Sequence, residues 1–269
     1  DNNACTQTAS GIVQAISPVV LSLVSETDVS CFGFADGIVK LSGTGGISPY
    51  QYSEDNTSFN ASPDFSSLTP GNYTFYIKDA GNCEDTLQTV INSPALLTAD
   101  ITATQLACYG NENGSASVLV NGGTPPYNYS WNTNPVLHNA TITSLTANTY
   151  SVTVTDNNNC TAEQAVTLNE PQQLSITLNP FPESTITFGD SIVLTANATG
   201  NGAMHYMWQP GHNLNCDTCS SIVVSPGAET VYIVTATDTG NCQIQAQVKI
   251  HVYIPTSTFI PNAFSPNGD

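Results

Sequence analysis

The sequence is poor in positive charge. Its Lys and Arg residues are three lysines, Lys40, Lys78 and Lys249, against 21 acidic residues, and the formal net charge is −18. Nucleic-acid binding needs a basic surface that neutralises phosphates, so the composition argues against this class of partner. The same deficit disfavours an anionic membrane surface. The charge balance is typical of a soluble surface protein whose molecules repel one another.

Long apolar runs and helical periodicity are also missing. No apolar run approaches the length of a membrane-spanning helix, so membrane insertion is not expected. Runs rich in Thr, Val, Ile, Tyr and Phe alternate with turn residues about every 8 to 12 positions, as in a β-sandwich. The sequence therefore predicts an all-β fold of tandem immunoglobulin-like β-sandwich domains in an elongated array.

Signatures of catalysis are lacking as well. There is no Gly-x-Ser-x-Gly motif, and paired carboxylates cannot be assigned to a strand end. The four histidines are scattered over predicted loops and strands; they are His138, His205, His212 and His251. We expect no enzyme activity and no cofactor, with calcium as the one alternative.

One sequence motif recurs along the chain. A strand begins at a tyrosine, and Asp-x-x-x-Cys starts six residues later. The copies run from Tyr73 to Cys83, Tyr150 to Cys160 and Tyr232 to Cys242, and the tail alone stands at Asp1 to Cys5. The tyrosine predicts a tyrosine corner, in which the hydroxyl bonds back to the chain that enters the strand. The aspartate predicts an Asx-turn, with a calcium ligand as the alternative.

The first two copies belong to units that align at one offset of 77 residues without insertion: Cys31 falls on Cys108, and Asp79 on Asp156. Within the first unit, alternation predicts strands at Ile38–Ser42, Tyr50–Ser53, Phe65–Leu68, Tyr73–Asp79 and Asp85–Ile91. Trp131 and Trp208 share a spacing from a local tyrosine that predicts core tryptophans on central strands.

The predicted organisation is a tail of a preceding repeat at 1–18, repeats at 19–94 and 95–171, a related sandwich at 172–253, and a linker with the start of another domain at 254–269. We expect the sequence to be a piece of a longer secreted protein.

The eight cysteines are regularly spaced, which indicates an oxidising compartment. The equal separations of Cys31 from Cys83 and of Cys108 from Cys160 predict one disulfide in each repeat. Closing a loop of about 50 residues would stabilise each repeat by about 4 kcal/mol. The alternative is bridging between repeats, Cys5 to Cys31 and Cys83 to Cys108.

The third unit has a different cysteine pattern. Its Cys216-Asp-Thr-Cys219 segment predicts a local disulfide, with a redox motif or half of a zinc site with His212 as alternatives. Cys242 is left without an assigned partner.

Several motifs carry a family resemblance. The 77-residue units resemble SprB-type repeats of very large cell-surface adhesins from gliding Bacteroidetes, through Cys-x-Gly at 31–33, Gly-Gly-x-x-Pro-Tyr at 45–50 and 122–127, and the Tyr…Asp-x-x-x-Cys closure. The third unit resembles immunoglobulin- or polycystic-kidney-disease-like domains. The segment from Phe259 to Asp269 resembles the opening of a gliding-motility-associated C-terminal domain, a sorting signal for type IX secretion.

This resemblance implies an extracellular, cell-surface location and a stalk role in a large adhesin or filament used in gliding or attachment. The implied partners are the type IX secretion and gliding machinery, reached through the downstream C-terminal domain, neighbouring repeats of the chain, and surface polysaccharide. Thr86 and Ser191 resemble O-glycosylation sites of Bacteroidetes.

The alternative function is a carbohydrate- or calcium-binding accessory module of a secreted enzyme. Its candidate sugar platform is the aromatic set Tyr50, Tyr52, Tyr127, Tyr129 and Trp131.

Overall fold

Nineteen β-strands and no helix are found in residues 17–211 and 214–255, which this computed structural model describes. The prediction of an all-β fold is therefore confirmed. The chain forms two compact units: one takes residues up to 101 with 118–140 and 151–165, and the other takes 102–117, 141–150 and the residues from 166 onward. No helix long and apolar enough to cross a membrane is found in the described residues.

The first six strands form two three-stranded sheets, β1-β2-β4 and β3-β5-β6. Burial alternates along β5, where Phe75 and Ile77 are fully buried and Thr74 and Tyr76 are only half-buried, as a strand with one wet face requires. All five strands predicted for this repeat are confirmed. The strands are β1 (Val20–Thr27), β2 (Gly37–Thr44), β3 (Gln51–Ser53), β4 (Asp64–Leu68), β5 (Gly71–Lys78) and β6 (Glu84–Ile91).

The next six strands repeat this arrangement, with sheets β7-β8-β10 and β9-β11-β12. Trp131 is buried as predicted, and its Nε1–H donates to the carbonyl oxygen of Asn139 at 2.9 Å. The predicted position on a central strand is wrong, because β9 lies at the edge of its sheet. The strands are β7 (Thr98–Thr104), β8 (Gly114–Asn121), β9 (Asn128–Trp131), β10 (Thr141–Leu145), β11 (Asn148–Thr155) and β12 (Thr161–Leu168).

The last seven strands form sheets β13-β15-β17 and β14-β19-β18-β16. The additional strand is β14, which pairs in parallel with β19. Trp208 is buried on β16, again an edge strand. The strands are β13 (Ser175–Asn179), β14 (Glu183–Thr187), β15 (Ile192–Thr199), β16 (His205–Gln209), β17 (Ser221–Val224), β18 (Thr230–Thr237) and β19 (Gln243–Tyr253).

An ionic group lies where β14 and β19 pair. His251 on β19 contacts Glu229 through Nδ1 at 2.8 Å and Glu183 on β14 through Nε2 at 3.1 Å. Lys249 Nζ lies 2.8 Å from the other oxygen of Glu229. The hydrogen bonds with Glu183 and Glu229 raise the pKa of His251 above its ordinary value of 6.5, against the opposing charge of Lys249. The imidazolium therefore joins two carboxylates at this edge.

This group should make the stability of the third sandwich depend on pH. Because the pKa of His251 is raised on folding, its contribution is fully present below pH 6.5 and is lost as the pH rises through the folded-state pKa. We expect His251→Gln to lower the melting temperature at about pH 5 and to have little effect at about pH 9. The matched control is His205→Gln, at an exposed position of β16. Equal effects of His251→Gln at both pH values would contradict this assignment.

Candidate functional site: cysteine loops and closing turns

The three Asp-x-x-x-Cys segments, 79–83, 156–160 and 238–242, are tight turns that we call the closing turns. In each, one buried aspartate carboxylate accepts three backbone N–H groups. Oδ1 of Asp79 accepts from Gly81 and Cys83, and its Oδ2 accepts from Ile47, all at 2.8 Å. The same three bonds recur at Asp156 and Asp238. The predicted Asx-turn is therefore confirmed.

The hydrogen bonds also set the ionisation of the first aspartate. Backbone donors at Cys83, Ile47 and Gly81 lower the pKa of Asp79 below 3.8. The residue before each cysteine is an asparagine with positive φ, at 62°, 65° and 62° for Asn82, Asn159 and Asn241. Asparagine tolerates this left-handed conformation better than most residues. Each closing turn thus delivers its cysteine to the start of the following strand in one defined geometry.

The Gly-Gly-x-x-Pro-Tyr motif lies on the opposite side of the closing turn. A Cβ at Gly122 would lie 2.0 Å from the carbonyl oxygen of Leu96, and the φ of Gly122 is +71°. The Tyr127 hydroxyl donates to Gly122 O at 2.7 Å, as Tyr50 does to Gly45 O in the first repeat. These glycines are needed because the chain entering the first strand passes directly over them.

The same contacts bear on the candidate sugar platform. Tyr52 and Trp131 are buried, whereas Tyr50, Tyr127 and Tyr129 are half-buried. The hydroxyls of Tyr50 and Tyr127 are used inside the fold, so these aromatic side chains build the sandwiches.

The tyrosine corner prediction is confirmed in both repeats. The Tyr73 hydroxyl donates to the Thr69 carbonyl oxygen at 2.9 Å, and the Tyr150 hydroxyl donates to Thr146 at 3.0 Å. Both bonds fix the entry into the strand that leads to a closing turn.

The Cys-x-Gly motif forms a turn between the first two strands of each repeat, within segments 28–36 and 105–113, which we call the cysteine loops. Phe34 N–H donates to Cys31 O, and Asn111 N–H donates to Cys108 O, both at 3.1 Å. Gly33 and Gly110 have φ of 79° and 72°, the positive value that the third residue of a type II turn requires. Glycine is therefore the residue that lets this loop turn immediately after its cysteine.

The first cysteine loop is also held by an acidic side chain. Asp36 accepts from Ser30 N–H at 2.9 Å and from the Ser30 hydroxyl at 2.5 Å. These two bonds, the hydroxyl first, lower the pKa of Asp36. The carboxylate thus anchors the residue that immediately precedes Cys31.

The long-range disulfides join cysteine loops to closing turns of different sandwiches. Cys31 is bonded to Cys160 and Cys108 to Cys242, with Cα–Cα distances of 5.8 and 5.7 Å. The predicted pairs Cys31–Cys83 and Cys108–Cys160 are wrong, and Cys242, which the sequence leaves without an assigned partner, is bonded to Cys108. Cys83 is exposed and unpaired among the described residues. The alternative pair Cys83–Cys108 is also wrong, and Cys5 lies outside the described residues.

The length of β6 explains why Cys31 and Cys83 of one repeat do not pair. Near Cys31, Val29 N–H donates to Asn92 O at 3.3 Å, just beyond the end of β6. Cys83 stands before the start of the same eight-residue strand. Eight extended residues span about 26 Å, whereas two bonded cysteines need their Cα atoms within about 7 Å. The two cysteines of one repeat therefore lie at opposite ends of the sandwich.

Polar contacts and a cavity accompany each long-range disulfide. Asn158 Nδ2 donates to the Ser30 carbonyl oxygen at 3.0 Å beside Cys31–Cys160. A cavity of about 210 Å³ next to this bond is lined by Phe32, Leu96 and Leu97 among others. The corresponding cavity beside Cys108–Cys242, about 470 Å³, includes Tyr109. Cysteine loop and closing turn therefore meet through side chains as well as through sulfur.

Cys216 and Cys219 form a local disulfide in the third sandwich. The loop also holds the core tryptophan: Trp208 Nε1–H donates to Cys219 O at 2.9 Å, and Trp208 N–H donates to Asp217 O at 2.8 Å. His212, the other ligand of the zinc alternative, lies outside the described residues. The disulfide thus belongs to the support of the core.

Two groups of predictions remain predictions. Thr86 on β6 and Ser191 before β15 are exposed, and their O-glycosylation is not tested by the fold. The candidate sorting segment from Phe259 to Asp269 lies outside the described residues.

Several solved structures align with the chain at low sequence identity. Three N-terminal domains of the highly immunogenic outer capsid protein of bacteriophage RB49 align over 90% of this chain and 100% of theirs, with 12% identity and a TM-score of 0.43. The titin I-band fragment I67–I69 aligns over 89% and 100%, with 13% identity and a TM-score of 0.43. Immunoglobulin domains 1–5 of Sidekick-1 align over 90% and 60%, with 10% identity and a TM-score of 0.37.

A search of the curated proteins found no match. One family model does match, at the part of each repeat that contains the cysteine loop and the Gly-Gly-x-x-Pro-Tyr motif. The SprB repeat model matches this chain twice, at residues 24–58 and at residues 101–136, so the first two sandwiches each contain a segment similar to a SprB repeat.

Proposed function

We propose that this chain is a structural, non-enzymatic segment of a secreted cell-surface adhesin or filament, in which overlapping disulfides make successive sandwiches covalently continuous. The observation that carries the proposal is the stagger of the two long-range disulfides. Cys31–Cys160 encloses 129 positions and Cys108–Cys242 encloses 134, and the two intervals overlap between Cys108 and Cys160. A chain that bears tension or meets proteases outside the cell benefits from such cross-linking.

Further support comes from composition and from the SprB matches. Disulfides form and persist in oxidising surroundings such as the cell exterior, and the strong negative charge disfavours non-specific adhesion between copies. SprB repeats connect the chain to surface adhesins by resemblance. The proposal includes a role in gliding or attachment in Bacteroidetes and export by type IX secretion, and it places ligand recognition outside this segment.

The stagger has a consequence for a chain that has been cut. A break between Cys31 and Cys160 leaves its two sides joined by the first disulfide, and a break between Cys108 and Cys242 leaves them joined by the second. Even two breaks, one in each linker between sandwiches, leave three pieces tied in series. In a chain with one disulfide inside each domain, the same breaks would release the domains.

Site-specific cleavage tests this continuity. A protease recognition sequence is placed in the linker between β6 and β7, within 92–97, and a second one between β12 and β13, within 169–174. After complete cleavage of both, we expect one full-size species on a non-reducing gel and three fragments after reduction. The control is Cys31→Ser, which should release the N-terminal fragment alone without reduction. Release of fragments from the unmodified-cysteine chain would overturn the proposal.

Surface location and export are tested in cells. Antibody against the sandwiches should label intact cells of the Bacteroidetes strain that produces the parent protein, and the label should be absent when the type IX translocon is deleted. Labelling that persists in the deletion strain would contradict the export route. Loss of surface label without loss of attachment would contradict the adhesin role.

A further inference from the structure

The closing turn at Cys83 has the form of the two closing turns that are occupied. We propose that Cys83 receives the cysteine loop of a further repeat of this type, placed N-terminal to the first sandwich in the full-length protein, and forms with it the same disulfide that Cys160 and Cys242 form. The partner is defined by its chemistry: a cysteine in a type II turn followed two positions later by glycine. The inference does not depend on a role in gliding or adhesion.

The first support is the geometry of the turn. Cys83 N–H donates to Asp79 Oδ1 at 2.8 Å, against 2.9 Å at both Cys160 and Cys242. Asn82 has a φ of 62°, as Asn241 has. The backbone and the carboxylate are thus arranged alike in the three turns, and the Cys83 side chain is exposed.

The second support comes from the surroundings of the glycine at the third position of the closing turn. Gly240 lies at the third position of its closing turn, and a Cβ there would be 3.0 Å from Ala107 O, in the residue before Cys108. Asn158 occupies this position in the second turn, so the backbone conformation does not require glycine. Gly81 has the same place in the first turn, and the described atoms nearest to a Cβ on it belong to Asp79 and Ile47. The contact that the Ala107 carbonyl oxygen makes at Gly240 thus has no counterpart among the nearest described neighbours of Gly81.

The third support is the direction of the pairing. Each described cysteine loop is bonded to the closing turn of the sandwich that follows it along the chain, Cys31 to Cys160 and Cys108 to Cys242. Both described loops are therefore already used. By the same rule, Cys83 belongs to a loop in the sandwich that comes before the first one.

Bond formation is an oxidation and needs an acceptor. The Cys83 thiol and the partner thiol each lose one proton, and together they pass two electrons to a disulfide compound, which is reduced to two thiols. A disulfide oxidoreductase can serve as this acceptor in an oxidising compartment, and oxidised glutathione can serve in vitro. The product is one Sγ–Sγ bond between the sandwiches.

A tandem duplication supplies the missing loop without any foreign sequence. Residues 18–94 are inserted once more after Pro94, which keeps the 77-residue period of the full chain. After refolding with oxidised and reduced glutathione, peptide mapping without reduction should find one additional disulfide per molecule. The new link should join Cys31 of the first copy to Cys83 of the second copy.

Matched variants separate this link from pairing inside a repeat. Cys83→Ser in the second copy should abolish the Cys31–Cys83 peptide, whereas Cys83→Ser in the first copy should leave it unchanged. Retention of the peptide in the second-copy variant, or its loss in the first-copy variant, would overturn the proposal. A Cys5–Cys83 peptide in the original chain would overturn it as well.

Alkylation gives a second readout that does not rely on peptide linkage. In the original 269-residue chain, Cys83 should react with iodoacetamide before reduction. In the duplicated chain, the second-copy Cys83 should be protected and the first-copy Cys83 should react. Equal reaction of both copies would refute the assignment, whatever the state of the other disulfides.

Discussion

Reduction of the two long-range disulfides should lengthen the fully stretched chain by about 550 Å, at about 3.5 Å for each extended residue. In the oxidised chain, the shortest covalent path crosses from Cys31 to Cys160, follows the backbone back to Cys108 and then crosses to Cys242. This path holds the 52 positions between Cys108 and Cys160, whereas the reduced chain holds all 211 positions between Cys31 and Cys242, so reduction adds 159 positions less the length of two disulfide crossings. Single-molecule stretching with handles at the two termini, with and without reductant, measures the difference in contour length.

The two single variants make the test specific. With Cys31→Ser the path follows the 77 backbone positions from residue 31 to Cys108 and then crosses to Cys242, so the contour length should rise by only about 80 Å. With Cys108→Ser the path crosses from Cys31 to Cys160 and follows the 82 backbone positions to Cys242, so the contour length should rise by only about 100 Å. The double variant alone should show the long extension. If the gains in contour length of the two single variants added up to the gain of the double variant, the disulfides would not be staggered as described.

Gly122→Ala should destabilise the second sandwich by about 4 kcal/mol, through overpacking and a left-handed backbone at a residue with a Cβ. The added Cβ would lie 2.0 Å from the Leu96 carbonyl oxygen, which is backbone and cannot rotate away. The strand entry and the turn at Gly122 would have to separate. This contact also positions the loop that donates to the closing-turn aspartate, Asp156.

The control is Gly110→Ala in the cysteine loop of the same repeat. Gly110 has nearly the same φ, +72°, but nothing lies within 4 Å of a Cβ there. We expect a loss of about 1 kcal/mol from backbone strain alone. Urea unfolding followed by Trp131 fluorescence in a Trp208→Phe background isolates the second sandwich, because the chain has two tryptophans. Equal losses for the two variants would show that the Leu96 contact is not the cause.

Local features of this protein could be predicted from sequence because their causes are local. Alternation of Phe75 and Ile77 with half-buried neighbours is enough to place a strand and its buried face. The Asp79 turn and the Tyr73 corner depend on backbone groups a few residues away, so their spacing is a sufficient signal. The same local causes recur in the second repeat at an offset of 77 residues, and the positions of the two SprB matches agree with this offset.

The cysteine pairing was decided by tertiary structure alone. Equal spacing of Cys31 with Cys83 and of Cys108 with Cys160 in sequence is equally compatible with bonds within repeats and with bonds between them. Only the folded sandwich shows that a strand of eight residues separates the cysteine loop from the closing turn of its own repeat. Sequence therefore determined what each sandwich is made of, and three-dimensional distance determined which sandwiches are bonded, because a disulfide forms only between cysteines whose Cα atoms lie within about 7 Å.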